Sequence, residues 1–332
     1  DRRPPGLDLR PAAPHPAMAA GADQSEMAVS LRARRRPRPG PSSIPGPLPD
    51  APAARWAVSV RALWGMARPL LLASVLGVYG SGLLIARAQG HPLVWIEILW
   101  SGLALLLVSL SIHYANEYAD VETDARTRPT LYSGGSGVLP SGLVPPRFAL
   151  RSAWWALGLG VSVGVAGVAV GAIAPVVLIL LLVGAGLGWQ YSLPPLRLAW
   201  RGWGEVDNAL LGGLLLHGYG YATASGALEP SLLGICLPFT LLVFVNLLAT
   251  GWADREADAA VGKRTLATRL PPAALRALHG VLGLGAFLVL LASAGRLVPW
   301  PVVLAGLPAL PVLAFGWWRF TRVHAPYATS NA

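Results

Sequence analysis

Apolar runs of about 20 residues recur along the chain from Trp56 onward, and they settle the fold class before any other feature is weighed. Such a run crosses about 30 Å of hydrocarbon as an α-helix. We read eight of them, at 66–87, 93–115, 150–171, 173–191, 206–225, 231–251, 275–293 and 297–318. The chain is 54% hydrophobic and 13% charged, where a soluble domain averages about 25% charged. The expected fold is all-α, a polytopic transmembrane helical bundle embedded in membrane lipid. Glycine is frequent within the runs, where small residues let helices approach closely. The single Cys236 lies in an apolar run; it excludes an internal disulfide and reads as a small buried hydrophobe.

The formal net charge of +10 is not one patch. Eight of the 26 bases lie in the first 50 residues, including Arg34-Arg35-Arg36, beside five acids. No aromatic-basic platform accompanies it, so a nucleic-acid partner is not expected. Residues 1–54 are rich in Pro, Ala, Gly and Arg without a periodic apolar face; they are expected to be a disordered basic segment. No apolar stretch there reads as a signal peptide, and Met18 or Met27 could be the true start. The transmembrane domain is expected over 55–320, with a short tail at 321–332. Loops 116–149, 192–205 and 252–274 carry nine of the remaining 18 bases, while the alternate loops carry little beyond Arg296. The positive-inside rule puts the three basic loops on the cytoplasmic face of the cell membrane.

Two acidic clusters sit just beyond apolar runs on that same side. The first is Asn116-Glu117-x-x-Asp120-x-x-x-Asp124, and the second is Asp254-x-x-x-Asp258 followed by Gly262-Lys263. Carboxylates this close to lipid need solvent, a cation or a specific role. A four-residue spacing puts acids on one helix face, and Asn116, Asp120 and Asp124 form such a stripe, with Glu117 off it. A hard cation such as Mg²⁺ takes carboxylate and phosphate oxygens, so Asn116, Glu117, Asp120, Asp124, Asp254 and Asp258 are the metal candidates. The bland alternative for the first cluster is a solvated helix end paired with Arg126 and Arg128. Those arginines are equally candidates for a diphosphate, together with Arg197, Arg201 and Lys263. Arg197 and Arg201 also fit simple membrane anchoring. The loop Tyr132-Ser133-Gly134-Gly135-Ser136-Gly137 can present backbone donors to an anion but lacks the ending of a nucleotide P-loop. Tyr191, Glu205, Asp207 and His217 are candidates for contact with an acceptor or a cation. Glu205 and Asp207 could instead pair with arginine, and His113, one turn before Asn116, reads as a packed histidine.

Taken together, the motifs resemble the UbiA superfamily of intramembrane prenyltransferases. The first loop resembles that family's Asn-Asp-x-x-Asp-x-x-x-Asp motif, with Glu117 in place of the usual second acid. Gly262-Lys263-Arg264-Thr265-Leu266-Ala267-x-Arg269-Leu270, Tyr191-Ser-x-Pro-Pro-x-Arg197-Leu and Arg68-Pro69 are similar to the 1,4-dihydroxy-2-naphthoate polyprenyltransferase branch. The resemblance covers roughly 60–320 and raises the expected count to eight to nine spans. It departs at Thr250-Gly251, where that branch has paired Asn.

The resemblance implies Mg²⁺-dependent transfer of a polyprenyl group from a polyprenyl diphosphate to an aromatic small molecule, in quinone synthesis and, within it, menaquinone biosynthesis. Asp120, Asp124, Asp254 and Asp258 would be the catalytic acids. Acceptors in related branches include 4-hydroxybenzoate, homogentisate and a glyceryl phosphate. A cyclase or hydrolase acting on the same diphosphate, and a non-enzymatic transporter or scaffold, are the alternatives from other classes.

Overall fold

The computed structural model describes residues 52–127 and 134–322, with side chains from Trp56 onward. The basic segment 1–51, Arg128, Tyr132, Ser133 and the last ten residues lie outside the described residues. Thirteen α-helices follow in chain order: α1 Pro52–Ala67, α2 Pro69–Ala88, α3 Trp95–Ala119, α4 Val121–Asp124, α5 Pro146–Ala169, α6 Pro175–Ser192, α7 Gly204–Ala209, α8 Leu216–Ser225, α9 Ser231–Ala260, α10 Leu266–Arg269, α11 Pro272–Ser293, α12 Trp300–Gly306 and α13 Ala309–Arg319. Among the described residues there is no strand, only an isolated bridge between Ala294 and Val298.

Among the described residues, seven helices are long and apolar enough to cross a membrane, fewer than the eight to nine expected. The difference lies in the run expected at 206–225. It is helical from Gly204 to Ser225, but Leu210–Leu215 is wound as a π-helix between α7 and α8. A π turn breaks the i→i−4 ladder, and hydropathy carries no trace of that. The last span, Trp300–Arg319, is likewise dented at Leu307-Pro308. Proline stands at the first turn of α2, α5, α6 and α11. Its missing N–H costs nothing there, since the first-turn donors have no partner within the helix.

Many large side chains point outward. Trp155, Val281 and Val312 are 75%, 68% and 70% exposed, as side chains facing lipid are. The inward faces mix small and polar groups with large ones such as Leu83, Leu105 and Leu181. Tyr79 and Tyr219 are buried together, and both reach Ser101: the Tyr79 hydroxyl lies 2.8 Å from Ser101 Oγ, and Tyr219 donates to Ser101 O at 2.8 Å. Helices α2 and α8 cross at Gly82 and Gly220, where a Cβ on Gly82 would strike His217 O and one on Gly220 would strike Tyr79 O. Without water to drive association, contact of this closeness is what binds helices in lipid.

Candidate active site

The ends of α3, α6 and α9 meet the start of α7: Ser192 bonds Asn116, Lys263 reaches Asp120, and the Leu266 N–H reaches Glu205. Helix α3 stops at Ala119. Asp120 takes φ −100° and ψ 10° and caps it, and α4 adds one further turn. The expected continuous stripe is therefore interrupted at Asp120. Its acids still follow one another, because Asp120 N–H donates to Asn116 O at 2.9 Å and Asp124 N–H to Asp120 O at 2.8 Å.

Asp124 is buried against Gly135, whose φ is 69°. A Cβ at Gly135 would overlap the Asp124 carboxylate, so both the backbone and the packing require glycine there. Burial, then the negative charges of Asp120 and Glu117, push the Asp124 carboxyl up to about 8. Asn116 Oδ1 accepts a hydrogen bond from Ser192 Oγ at 2.5 Å, which ties the end of α3 to the end of α6.

Glu117 has a different occupation from its neighbours. It is 1% exposed. Arg68 reaches its Oε1 from Nε at 2.9 Å and from Nη2 at 2.7 Å. Ser136 donates its N–H to Oε1 at 2.9 Å and its hydroxyl to Oε2 at 2.6 Å. Both oxygens thus hold the α1–α2 joint and the glycine loop to α3. Arg68 itself, in the left-handed region at φ 49°, went unread as a site residue; its place directly before Pro69 was the available signal.

The second motif arrives through α9. Asp254 is partly buried, and Asp258 lies one turn later at 3% exposure. Gly262 turns the chain back at φ 77°, and Lys263 N–H donates to Asp258 O at 2.9 Å. This folds Lys263 over the end of α9. Its ammonium lies 3.3 Å from Asp120 Oδ1 and 3.6 Å from Asp258 Oδ1, so the two motifs expected to meet do meet, across this lysine. Burial works against the lysine charge, and Asp120 and Asp258 more than offset it, holding its pKa above the usual lysine range.

The remaining candidates divide. Tyr191 packs its ring against the Gly204 end of α7. Buried Glu205 accepts the Leu266 N–H at 2.8 Å and so caps α10, a structural use that neither of its two expected roles included. Asp207 is buried, and its Oδ2 has no hydrogen-bond partner. Arg197 stacks its guanidinium on Trp200 at 4.0 Å. Arg126 and Arg201 are exposed. His217 lies in the α2–α8 crossing, not among the acids: its Nδ1 donates to Gly213 O at 2.6 Å, and its ring meets Phe239 edge-on. His113 donates from Nδ1 to Ala67 O at 2.7 Å, as a packed histidine does.

Two hollows adjoin this assembly. One, of about 370 Å³, opens beside Lys263 and is lined by Ala259, Gly262, Arg264, Thr268 and Arg269. Arg264 and Arg269 were not read as site residues, although they stand in the same segment as Lys263. The other, of about 170 Å³, is mostly apolar and runs between α2, α3, α6 and the stretch from Asn208 to Tyr219, with Val75, Leu105, Leu181, Gly212 and Tyr219 in its wall. Among the described residues no three His, Cys, Asp or Glu side chains converge as a ready metal centre. The donor set nevertheless suits a hard cation. It consists of carboxylate oxygens, Asp258 Oδ1 has no hydrogen-bond donor, and an ammonium already sits between two of the acids.

Comparison with known proteins gives a consistent family. Residues 70–328 match the UbiA prenyltransferase family. The 1,4-dihydroxy-2-naphthoate octaprenyltransferase of Mycobacterium tuberculosis is 29% identical over 277 residues, 74% of this chain and 81% of that protein. The chloroplastic chlorophyll synthase of Arabidopsis thaliana is 28% identical over 155 residues, 46% of this chain and 38% of that protein. A UbiA homolog from Archaeoglobus fulgidus, solved with GPP and Mg²⁺, superposes with a TM-score of 0.61 at 17% identity, over 79% of this chain and 87% of that one.

Proposed function

Because the chain belongs to the UbiA prenyltransferase family, we propose that it transfers a polyprenyl group from a polyprenyl diphosphate to 1,4-dihydroxy-2-naphthoate in menaquinone biosynthesis, with Mg²⁺, at the cytoplasmic face of the membrane. The observation that carries this reading is the meeting of the two acidic motifs across Lys263, beside a basic hollow and next to an apolar one. The choice of acceptor is supported by the mycobacterial relative.

Asp120, Asp124, Asp254 and Asp258, with Asn116, would hold Mg²⁺. When bound, that ion neutralises charge on the departing diphosphate. Lys263, Arg264 and Arg269 draw the diphosphate to the mouth of the site. The apolar cavity takes the prenyl chain and excludes water from the allylic cation formed as the C–O bond breaks. A ring carbon of the acceptor supplies the electron pair for the new C–C bond, and rearomatisation expels the group the ring loses: a proton, or CO2 where the naphthoate carboxylate departs.

The test uses purified protein in lipid, labelled polyprenyl diphosphate, Mg²⁺ and a panel holding 1,4-dihydroxy-2-naphthoate, 4-hydroxybenzoate, homogentisate and a glyceryl phosphate. A prenylated product that depends on 1,4-dihydroxy-2-naphthoate is expected. Diphosphate release that no acceptor stimulates, from folded protein, would overturn transfer in favour of cyclisation or hydrolysis. Prenylation of another acceptor alone would overturn the naphthoate assignment.

A further inference from the structure

Lys263 is the only lysine in a chain that holds 26 lysines and arginines in all. It stands where two carboxylates from distant helices converge. Asp120 closes α3 and Asp258 lies in the last turn of α9. Helix C-termini carry partial negative charge, so each carboxylate sits where its own helix disfavours it, and the two acids also repel each other. The ammonium answers both. Its distances of 3.3 and 3.6 Å are similar, and both exceed the 2.7–2.9 Å of a fully formed charge-assisted bond. It is held by the field of two acids, not by one strong bond.

We propose that Lys263 is a tethered cation. It fills the space between the acidic motifs while the site is empty, and it leaves that space for the diphosphate when metal enters. Metal and diphosphate must then bind together: metal alone has to displace a cation that cannot diffuse away, whereas an arriving diphosphate offers the ammonium a new anion in the adjoining basic hollow. A lysine suits this role and an arginine does not. The ammonium is a compact point charge on a flexible stem, while a planar guanidinium would lock onto a carboxylate with two bonds. The inference rests on the reading of the site as one for metal and diphosphate.

The experiment measures Mn²⁺ binding by electron paramagnetic resonance on the full chain in detergent, with and without pyrophosphate, for wild type, Lys263→Met, Lys263→Arg and Asp120→Asn. Wild type is expected to bind Mn²⁺ weakly alone and about tenfold or more tightly with pyrophosphate. In Lys263→Met, binding of Mn²⁺ alone should tighten about tenfold and the gain from pyrophosphate should shrink. Lys263→Arg should keep Mn²⁺ alone weak. Lys263→Gln reads the same quantity if the Met variant does not fold. Unchanged or weaker Mn²⁺ binding in the neutral variants, with binding lost in Asp120→Asn, overturns the tethered cation and leaves the metal site standing. Mn²⁺ binding that is absent in wild type with pyrophosphate, or indifferent to Asp120→Asn, overturns both.

Discussion

At the scale of single residues, acids close in sequence do different work. Asp120→Asn and Asp254→Asn are each expected to lower turnover by about 3 kcal/mol or more, roughly a hundredfold, with the fold intact. Initial rates at saturating Mg²⁺ and matched folded protein check this; near-normal rates in both would remove them from the catalytic set. Glu117→Gln should act on stability. It weakens the charge-assisted bonds from Arg68 and Ser136, at a cost of about 1.5–3 kcal/mol, visible as a lower unfolding temperature. Its turnover per folded molecule should stay well above that of Asp120→Asn. Asp124 adds a pH dependence. Its carboxyl is raised to about 8, so below that pH a proton must leave before the oxygen can bind a metal. Half-saturating Mg²⁺ should therefore rise as pH falls through about 8, and a flat profile would contradict the assignment. The spacing of Asn116, Asp120 and Asp124 was legible in the sequence. The clamp on Glu117 was not, because its partners Arg68 and Ser136 lie 49 and 19 residues away.

At the scale of elements, apolar length located the spans and proline marked several of their starts, at Pro146 and Pro272 a few residues before the limits read from hydropathy. What hydropathy could not register is the backbone hydrogen-bond pattern, so neither the π segment nor the dent at Leu307-Pro308 was foreseen. Pairing between helices was equally hidden, since glycines look alike until a neighbour is placed beside them. Gly220→Ala would drive a methyl into the Tyr79 carbonyl, whereas Gly77→Ala meets nothing within 4 Å. The first should destabilise the bundle by about 1–3 kcal/mol, and the second should be neutral or slightly stabilising through its helix propensity. Thermal unfolding of the two variants in detergent makes the comparison; equal midpoints would refute the close crossing.

At the scale of the molecule, three sequence-distant loops assemble one site. Ser192 bonds Asn116, Lys263 meets Asp120, Glu205 caps α10, and the Arg264 N–H reaches Trp200 O at 3.2 Å. The distribution of arginines was enough to put these loops on one side, but not to pair their residues. The apolar cavity is equally a product of assembly, with walls from four separate segments. Gly212→Phe should fill part of it and shift preference toward shorter prenyl diphosphates while leaving the acids untouched. Competition between donors of different length reads this directly, and an unchanged preference would mean that the chain lies elsewhere.

The π segment at Leu210–Leu215 also divides one helical stretch, Gly204 to Ser225, into two registers. On one side of it Glu205 is pinned to α10, and on the other Gly220 is pinned to α2. A wide turn of this kind accommodates one residue more than an α-helix of the same length would. Deleting one residue there would let the ladder close, and would rotate one half against the other by about 100°, the angle each residue subtends in a helix of 3.6 residues per turn. The surplus residue thus acts like the offset of a vernier: it lets the end held to α10 and the end packed on α2 each keep its own alignment.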